Sequence, residues 1–393
     1  MIAVTSQASG RLRVALDSLP LIGHPTGIGA FCLGALTALG ERDDLDVRAY
    51  GVTWRSRAAI ASCLPPGVSL TQRAAPERVL LPLWERNRFP PIDWFIGRVD
   101  VVHGTNFFVP PTKRAGAVVS VHDLTQVHHP ELANQASPPY PTLIRRALQK
   151  GAWVHTDSAF IAGEVTEVFG ADPDHVRVVA PGVPTLPEVE PEAARQMVQK
   201  YLPDGVSRYV LAVGTAEPRK DLPALVRAFD ELVGTAPNHD LDDLALVLAG
   251  PPGWGEAALS DAVNGARFGQ RVVRTGWVEP SVLSALLSNA AVLAYPSLYE
   301  GFGFPPLQAM AAGVPVVATT AGSLPEVLGQ AAMLVDVGDS DALMQALSRV
   351  LGDERLRAQL VEAGTARATS FTWRACGDGL AHLYGDVAAA HDG

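Results

Sequence analysis

The chain has 393 residues, a length that predicts two or three domains, and 48% of them are apolar, enough to fill large cores. Its 36 glycines and 31 prolines are spread along the chain, which excludes a collagen-like or low-complexity protein. The net charge of −10 argues against a basic protein that binds nucleic acid, so we expect no nucleic-acid partner.

Strand-like apolar runs alternate with helical stretches in the first half of the chain. Val14–Asp17 predicts a strand and Ile28–Leu39 a helix. The other strands expected here are Val99–His103, Ala117–Val121, Trp153–Thr156 and Val176–Val179, and the other helices are Tyr140–Lys150 and Ala159–Phe169. Such alternation is typical of βαβ units and a parallel sheet.

The alternation stops at Pro181–Pro191, where four prolines predict a semi-rigid linker. It then restarts. The later strands expected are Tyr209–Val213, Leu244–Ala249, Val272–Thr275, Val292–Tyr295 and Val314–Ala318. The later helices expected are Leu222–Val233, Ser281–Ser288, Pro306–Ala312, Ser340–Leu351, Glu354–Thr369 and Trp373–Ala390. We therefore predict two doubly wound α/β domains, residues 1–185 and 186–372, with a ligand site in the cleft between them.

The sequence predicts no targeting or membrane-spanning segment. The N-terminus has no basic start followed by an apolar run, and no stretch approaches the roughly 18 apolar residues of a membrane span. Three distant cysteines, Cys32, Cys63 and Cys376, form no C-x-x-C pair, so we expect neither a disulfide framework nor a zinc ribbon. These features predict a soluble cytoplasmic protein.

The segment Tyr295–Ala318 has the features of a phosphate-binding turn. Gly301 and Gly303 precede a helix that begins at Pro305–Pro306, where backbone N–H groups and the helix dipole attract an anion. Glu300 lies at the mouth of this turn. The alternative is a tight turn followed by an ordinary helix.

A basic pair follows the strand in Val210–Leu222. Arg219 and Lys220 come after a glycine-bearing turn and would face the same cleft as Gly301. A diphosphate held between two cations and a helix N-terminus is chemically sensible. The alternative is a solvated pair of cations at a helix start.

One histidine stands out in the first half of the chain. His122, followed by Asp123, comes directly after the strand Ala117–Val121 and is the best-placed candidate for proton or hydroxyl chemistry. His103 is its competitor, and a satisfied structural histidine is the alternative for either. No third ligand stands at metal-site spacing and H-E-x-x-H is absent, so we expect no metal.

The stretch Leu83–Phe95 mixes aromatic residues with Arg86 and Arg88. Such a mixture predicts either contact with a lipid or glycolipid surface or, as the alternative, a packed connection between two strands.

Together these segments resemble the retaining family-4 glycosyltransferases of the GT-B fold, especially the bacterial mannosyltransferase-like branch. The resemblance covers nearly the whole chain and rests on the order of its motifs. The matching pieces are T-G-I-G at Thr26–Gly29, V-H-G-T-N at Val102–Asn106, V-H-D-L at Val121–Leu124, H-T-D-S at His155–Ser158, G-T-A-E-P-R-K-D at Gly214–Asp221, T-G-W-V at Thr275–Val278, E-G-F-G-F-P-P-L-Q-A-M-A at Glu300–Ala311 and S-L-P-E at Ser323–Glu326.

The resemblance implies two Rossmann-like domains facing each other across a cleft. The first would bind the acceptor, the second would bind a nucleotide-sugar, and the last helix, 373–390, would pack back on the first. It also implies a metal-independent, retaining transfer of a hexose, mannose or a related sugar, from a nucleoside diphosphate to a carbohydrate or glycolipid acceptor. Such an enzyme would serve polysaccharide biosynthesis in the cytoplasm, either free or in peripheral contact with the inner membrane surface, and would need no cofactor beyond its co-substrate.

The resemblance also implies roles for individual residues. His122 and Glu300 would act at the transferred sugar. The donor diphosphate would lie among Thr215, Arg219, Lys220, Gly301, Phe302 and Gly303, with the loop at Gly29 beside it, and the base would lie near Thr275, Gly276, Trp277 and Val278.

The chain departs from the family pattern at one position. The second Glu of the family's E-x7-E, which holds the ribose hydroxyls, is Gln308 here. An amide can still accept from one hydroxyl and donate to another, but the charge-assisted bond is lost. Two alternatives stay open: a nucleotide-sugar epimerase or phosphorylase on the same fold, and a non-catalytic binder of glycans or nucleotides.

Overall fold

The computed structural model describes residues 10–392 except 24–25, 54–55, 72–79, 81–82, 85–88, 136 and 238–239. Arg86 and Arg88, singled out above, therefore lie outside the described residues, as do residues 1–9. Of the helices in the described part of the chain, none combines the length and hydropathy of a membrane-spanning segment.

The first sheet has seven strands within the described residues, all parallel, in the spatial order β3-β2-β1-β4-β5-β6-β7. They are β1 Leu12–Asp17, β2 Leu45–Tyr50, β3 Ser69–Leu70, β4 Val101–Gly104, β5 Gly116–Val121, β6 Trp153–Thr156 and β7 Val176–Val178. The chain runs outward through β2 and β3 and then returns to β4. The reversal places a topological switch point between β1 and β4, where doubly wound sheets bind ligands.

Helices cover both faces of this sheet, because successive strand residues point to opposite sides. Val14 and Leu16 of β1 pack in one core, whereas Ala15 packs in the other. The helices are α1 Gly27–Gly40, α2 Arg57–Cys63, α3 Asp93–Ile96, α4 Thr125–His128, α5 Tyr140–Gln149 and α6 Ala159–Phe169.

The second sheet repeats the plan with six described strands, in the order β10-β9-β8-β11-β12-β13. They are β8 Arg208–Val213, β9 Leu244–Ala249, β10 Val272–Gly276, β11 Val292–Tyr295, β12 Val316–Thr319 and β13 Met333–Val335. Its switch point lies between β8 and β11. These are the two strands that lead into the basic pair and the glycine turn.

The helices of the second half also lie on both faces of their sheet. They are α7 Pro191–Gln199, α8 Leu222–Thr235, α9 Glu256–Gly265, α10 Pro280–Ser288, α11 Phe304–Ala311, α12 Leu324–Leu328, α13 Ser340–Gly352, α14 Glu354–Ala368 and α15 Trp373–Asp392. The predicted fold class, two doubly wound parallel sheets, is confirmed. Six helices and three strands were not predicted from the sequence, namely α2, α3, α4, α7, α9, α12, β2, β3 and β13.

The chain passes from one sheet to the other through a segment without regular structure, residues 179–190. It is not a free tether, because the Val183 N–H donates to the Phe371 carbonyl at 3.0 Å and Gly182 contacts Trp373. The predicted domain boundary at residue 185 falls within this crossing. The last helix, α15, packs on α1 in the core of the first sheet, with Tyr384 fully buried there.

Candidate active site between the two sheets

The carboxyl ends of the two sheets meet at Gly301. This residue follows β11, and its Cα lies against the carbonyl of His122, which follows β5. A side chain at Gly301 would place its Cβ 1.7 Å from the His122 carbonyl oxygen, so only glycine permits this approach. The Ser158 hydroxyl also donates to the Gly301 carbonyl, at 3.0 Å. The predicted phosphate turn and the predicted catalytic histidine are therefore in contact.

Glu300 is buried at the centre of this contact. Its Oε1 accepts from Lys220 Nζ at 2.5 Å and from the Ser297 hydroxyl at 2.7 Å, and it forms an ion pair with Arg219 Nη1 at 2.9 Å. Burial raises the pKa of Glu300, but the two cations outweigh it and bring this pKa to about 2. Glu300 is therefore an anion held in one orientation at any physiological pH.

Lys220 and Arg219 differ in their exposure and in the partners that occupy their N–H groups. Lys220 is 8% exposed, and it donates to Glu300 and to the Tyr295 hydroxyl, each at 2.5 Å, which uses two of its three N–H groups. Burial lowers the pKa of Lys220 in spite of the attraction of Glu300. Arg219 is more accessible and pairs with Glu217 through Nε at 2.8 Å. Both cations can present a free N–H to an anion without giving up their carboxylate partners.

The helix α11 begins directly after the glycine turn. Gly303 has φ +106°, a left-handed conformation, and prolines occupy the first helical turn, where their missing N–H groups cost nothing. The side chain of Phe302 packs in the core against Phe304 and Phe371. Phe302 can therefore meet a ligand only through its backbone.

The ring of His122 is almost fully buried and both of its nitrogens are bonded. Nδ1 lies 2.7 Å from Asp157 Oδ2, and Nε2 donates to the Thr105 carbonyl at 2.8 Å. Its competitor His103 lies deeper in the first sheet, fully buried and bonded to Tyr384 and Ser120. Of the two, His122 is the one at the contact between the sheets.

Other predicted residues lie around this contact. Gly29 lies in the first turn of α1 rather than in a loop, and a Cβ there would come within 2.7 Å of the Pro20 carbonyl oxygen. The close approach of the Pro20 carbonyl is thus enough to explain a glycine at position 29, without a ligand. Thr215 lies against Gly253, in the loop after β9.

The predicted base region lies at the end of β10. Thr275 and Gly276 are the last strand residues, and the Gly276 carbonyl accepts from the Gly250 N–H at 3.0 Å. The Trp277 ring is 38% exposed. The ends of β8, β9 and β10 thus form one continuous edge from the basic pair to this tryptophan.

Gln308 lies one turn into α11 and is half-buried. Its amide nitrogen donates to the Pro184 carbonyl, in the crossing segment, at 3.4 Å. A carboxylate could not make this bond, because it has no proton to donate. The Gln308 amide thus makes a hydrogen bond to the crossing segment that a glutamate at this position would not make.

Three contacts between the two halves were missed by the sequence analysis. The Glu326 carboxylate accepts from the Ala159 and Phe160 N–H groups at 2.9 and 3.0 Å, and so caps α6 from the opposite domain. The Tyr299 hydroxyl donates to Glu164 at 2.5 Å, and the Trp254 indole donates to the Leu132 carbonyl at 2.9 Å. Of the residues that make these contacts, only Glu326 belongs to a motif noted in the sequence, S-L-P-E.

Within the described residues, no group of three or more His, Cys, Asp or Glu side chains could hold a metal ion.

Two family models match the chain, one on each half. Residues 27–185 match the model described as Glycosyltransferase Family 4, and residues 207–353 match the model described as Glycosyl transferases group 1. The two matches have nearly the bounds of the two sheets.

Curated relatives extend this likeness. An O-antigen chain mannosyltransferase B from Escherichia coli is 32% identical over 70% of this chain and 71% of its own length. A D-inositol 3-phosphate glycosyltransferase from Acidothermus cellulolyticus is 30% identical over 75% of this chain and 66% of its own. An MMP alpha-(1->4)-mannosyltransferase from Mycolicibacterium hassiacum is 31% identical over 56% of this chain, which spans 50% of that relative.

Solved structures show the same fold at low identity. A sucrose-phosphate synthase from Thermosynechococcus elongatus superposes with a TM-score of 0.73 at 20% identity, covering 97% of this chain and all of the other. Anabaena Alr3699/HepE in complex with UDP and glucose superposes with a TM-score of 0.70 at 18% identity. The match covers 96% of this chain and all of the HepE chain. With the family matches and the mannosyltransferase relative, these findings show that the chain belongs to the family-4 glycosyltransferases of the GT-B fold and is a hexosyltransferase.

Proposed function

We propose that the protein is a retaining, metal-independent glycosyltransferase that moves a hexose, mannose or a closely related sugar, from a nucleoside-diphosphate sugar to a carbohydrate or glycolipid acceptor. One observation carries the proposal. Lys220 and Arg219, which follow β8, converge with the glycine turn that follows β11, and this site touches His122 of the other sheet.

The proposed diphosphate site uses groups that act mainly on the departing anion. Negative charge develops on the diphosphate as the glycosidic bond breaks, so fixed cations and the N-terminus of α11 stabilise the transition state more than the ground state. Lys220 and Arg219 are already oriented by Glu300, and little reorganisation is needed when the donor binds. The same groups supply the charge that a metal ion would otherwise provide, which is the ground for proposing metal independence.

Glu300 is proposed to contact the transferred sugar rather than to attack it. Its Oε1 already accepts two hydrogen bonds and pairs with the Arg219 guanidinium, which weakens it as a nucleophile and holds it as an oriented acceptor for sugar hydroxyls. Retention would then follow from attack of the acceptor on the same face as the leaving group. His122 would act near the reacting centre, from the acceptor side.

The nucleoside would lie along the strand edge from Thr215 to Trp277. Gln308 would face the ribose, with its amide able to accept from one hydroxyl. Two relatives are named mannosyltransferases, and HepE is described with UDP-glucose. These names support a hexose on a nucleoside diphosphate for this chain.

The acceptor would enter from the first domain, and a glycolipid fits its surface. Phe89 and Trp94 are 60% and 50% exposed, contact each other edge to face at 4.9 Å, and lie in Leu83–Phe95, for which contact with a lipid surface is one of the two predictions. Exposed aromatic rings of this kind favour a membrane interface. We propose peripheral contact of this patch with the inner face of the membrane.

The test is a transfer assay with a panel of nucleotide-sugars, GDP-mannose and UDP-glucose among them, and a panel of glycan and glycolipid acceptors. We expect an α-linked product from an α-linked donor, identified by NMR of the anomeric proton, with turnover unchanged by EDTA. A β-linked product would refute retention, and loss of turnover in EDTA that magnesium or manganese restores would refute metal independence. C2-inverted sugar formed from donor alone would indicate an epimerase instead.

A further inference from the structure

Three histidines share one buried polar network behind the proposed site. The ring centroids of His103 and His122 lie 5.7 and 6.5 Å from that of His155. All three rings are buried in the first sheet. Protonating more than one of them would place like charges close together in a poorly solvated interior, so the network can hold one cation at most.

The hydrogen bonds fix the protonation of two of these rings. His155 Nε2 lies 3.0 Å from the Val179 carbonyl, which can only accept, so the proton is on Nε2. A neutral His155 then accepts at Nδ1 from the Ser120 hydroxyl, at 2.9 Å. Ser120 in turn accepts from His103 Nε2 at 2.8 Å, and His103 Nδ1 accepts from the Tyr384 hydroxyl at 2.7 Å. This chain of donors is complete with both rings neutral.

His122 is in the opposite situation. Its Nε2 must donate to the Thr105 carbonyl, so Nδ1 of a neutral ring would carry a lone pair. That lone pair would face a carboxylate oxygen of Asp157 at 2.7 Å, which is a hydrogen-bond distance and requires a proton between the two atoms. Imidazole is more basic than a carboxylate, so the proton belongs to the ring.

The other Asp157 oxygen supports the same assignment. Oδ1 is buried and accepts no hydrogen bond, so the carboxylate charge is not dispersed over several donors. Within the described residues, its ion-pair partners are His122 and His155, and the second is 3.9 Å away and neutral. A full positive charge on His122 is what balances this buried anion.

We infer that Asp157 is a positioning residue that keeps His122 doubly protonated, so that an imidazolium rather than a neutral ring lies beside the departing diphosphate. The inference rests on the proposed function for its catalytic consequence. The His122–Asp157 pair is neutral overall, so the imidazolium would act as the positive end of a fixed dipole beside Arg219 and Lys220. Because its two N–H groups are occupied, His122 would act through its field and its fixed carbonyl, not as a proton donor.

Several titratable groups face His122. Asp157 and Asp123 carry the negative charges, and His155 and His103 are the neighbouring rings. Burial lowers the pKa of His122, but Asp157 outweighs it and the resulting pKa is above the ordinary value. Activity that depends on the imidazolium should therefore persist above neutral pH and fall only as pH rises through this raised pKa.

The charge can be read directly by NMR of protein labelled with ¹⁵N-histidine, with the His122 signals assigned from His122→Gln. We expect both nitrogens of His122 to remain protonated at the pH at which an ordinary histidine, with a pKa of about 6.5, has lost half of its ring charge. An unprotonated Nδ1 in the native protein would overturn the inference. This measurement needs no turnover, so it stands or falls independently of the proposed transferase activity.

The catalytic consequence is tested with Asp157→Asn. The Asn amide can donate to a neutral His122 Nδ1, so the geometry is kept while both charges of the pair, and the dipole between them, are lost. We expect kcat to fall about 10–100-fold, as for a lost charge-assisted interaction, with the alkaline limb of the kcat profile moved to lower pH. Ser120→Ala is the control, because it breaks the neighbouring chain of donors without touching His122, and it should leave the pH profile in place. Equal kcat and pH profiles for Asp157→Asn and the native protein would refute the positioning role.

Discussion

The backbone contact between Gly301 and His122 gives the sharpest prediction. Gly301→Ala would place a methyl carbon 1.7 Å from the His122 carbonyl oxygen, although real contacts of this kind are not shorter than 3.0 Å. The two sheets must therefore separate by more than 1 Å at the proposed reaction centre. A misplacement of about 1 Å costs on the order of 100-fold in rate, so kcat should fall by about that factor.

Stability should change much less than rate, because the clash lies at the contact between two separately packed cores and not inside either one. Gly163→Ala is the matched control, since its Cβ would meet nothing within 4 Å in α6. The assay is transfer kinetics for both variants, with thermal unfolding measured in parallel. If Gly301→Ala keeps more than half of the native kcat while Gly163→Ala behaves as expected, the two sheets are not in this contact during turnover.

Three further predictions concern the ion pairs and the α6 cap. Lys220→Ala should weaken binding of the nucleoside diphosphate by roughly 10–100-fold, the loss of one charge-assisted hydrogen bond, and calorimetry that shows equal affinity would place the diphosphate elsewhere. The lowered pKa of Glu300, about 2, means that its ion pairs stabilise the fold above the ordinary carboxyl range and are lost as pH falls toward that value. Glu300→Gln should therefore reduce the decline in Tm between pH 5 and pH 2, and an identical decline in both proteins would contradict this. Glu326→Ala should cost about 1 kcal/mol of unfolding free energy, as for other lost caps, whereas the exposed Glu167→Ala should be neutral in the same denaturation experiment.

The sequence predicted strands best where burial is complete on both faces. The residues of β9 and β11 are all buried, so they appear as short unbroken apolar runs. By contrast, β2 has the sequence L-D-V-R-A-Y, with buried and half-buried positions alternating in its first residues, and β3 is two residues long at the edge of the sheet. Such strands are defined by their neighbours rather than by their own composition.

In the candidate site, the sequence predicted only those residues that directly follow a strand. His122 and Lys220 each follow a strand, and the carboxyl ends of parallel strands share one edge of their sheet. The partners of these side chains were not predictable, because Lys220 and Glu300 are 80 residues apart in the chain and Glu326 caps a helix 167 residues away. At Gly29 the sequence motif suggested a ligand, but the structure shows instead that the Pro20 carbonyl lies close to this glycine.

The placement of α15 has a consequence for how the protein is made. Leu380, Tyr384 and Val387 complete a core whose side chains from the first domain, such as Phe31, lie between Val14 and Val179. On the ribosome, the first domain must wait with that apolar face uncovered until Val387 has been synthesised, while the second domain can finish first. Chain order and folding order are thus reversed here, and holdase chaperones should bind nascent chains that stop before Trp373 far longer than chains that include Asp392.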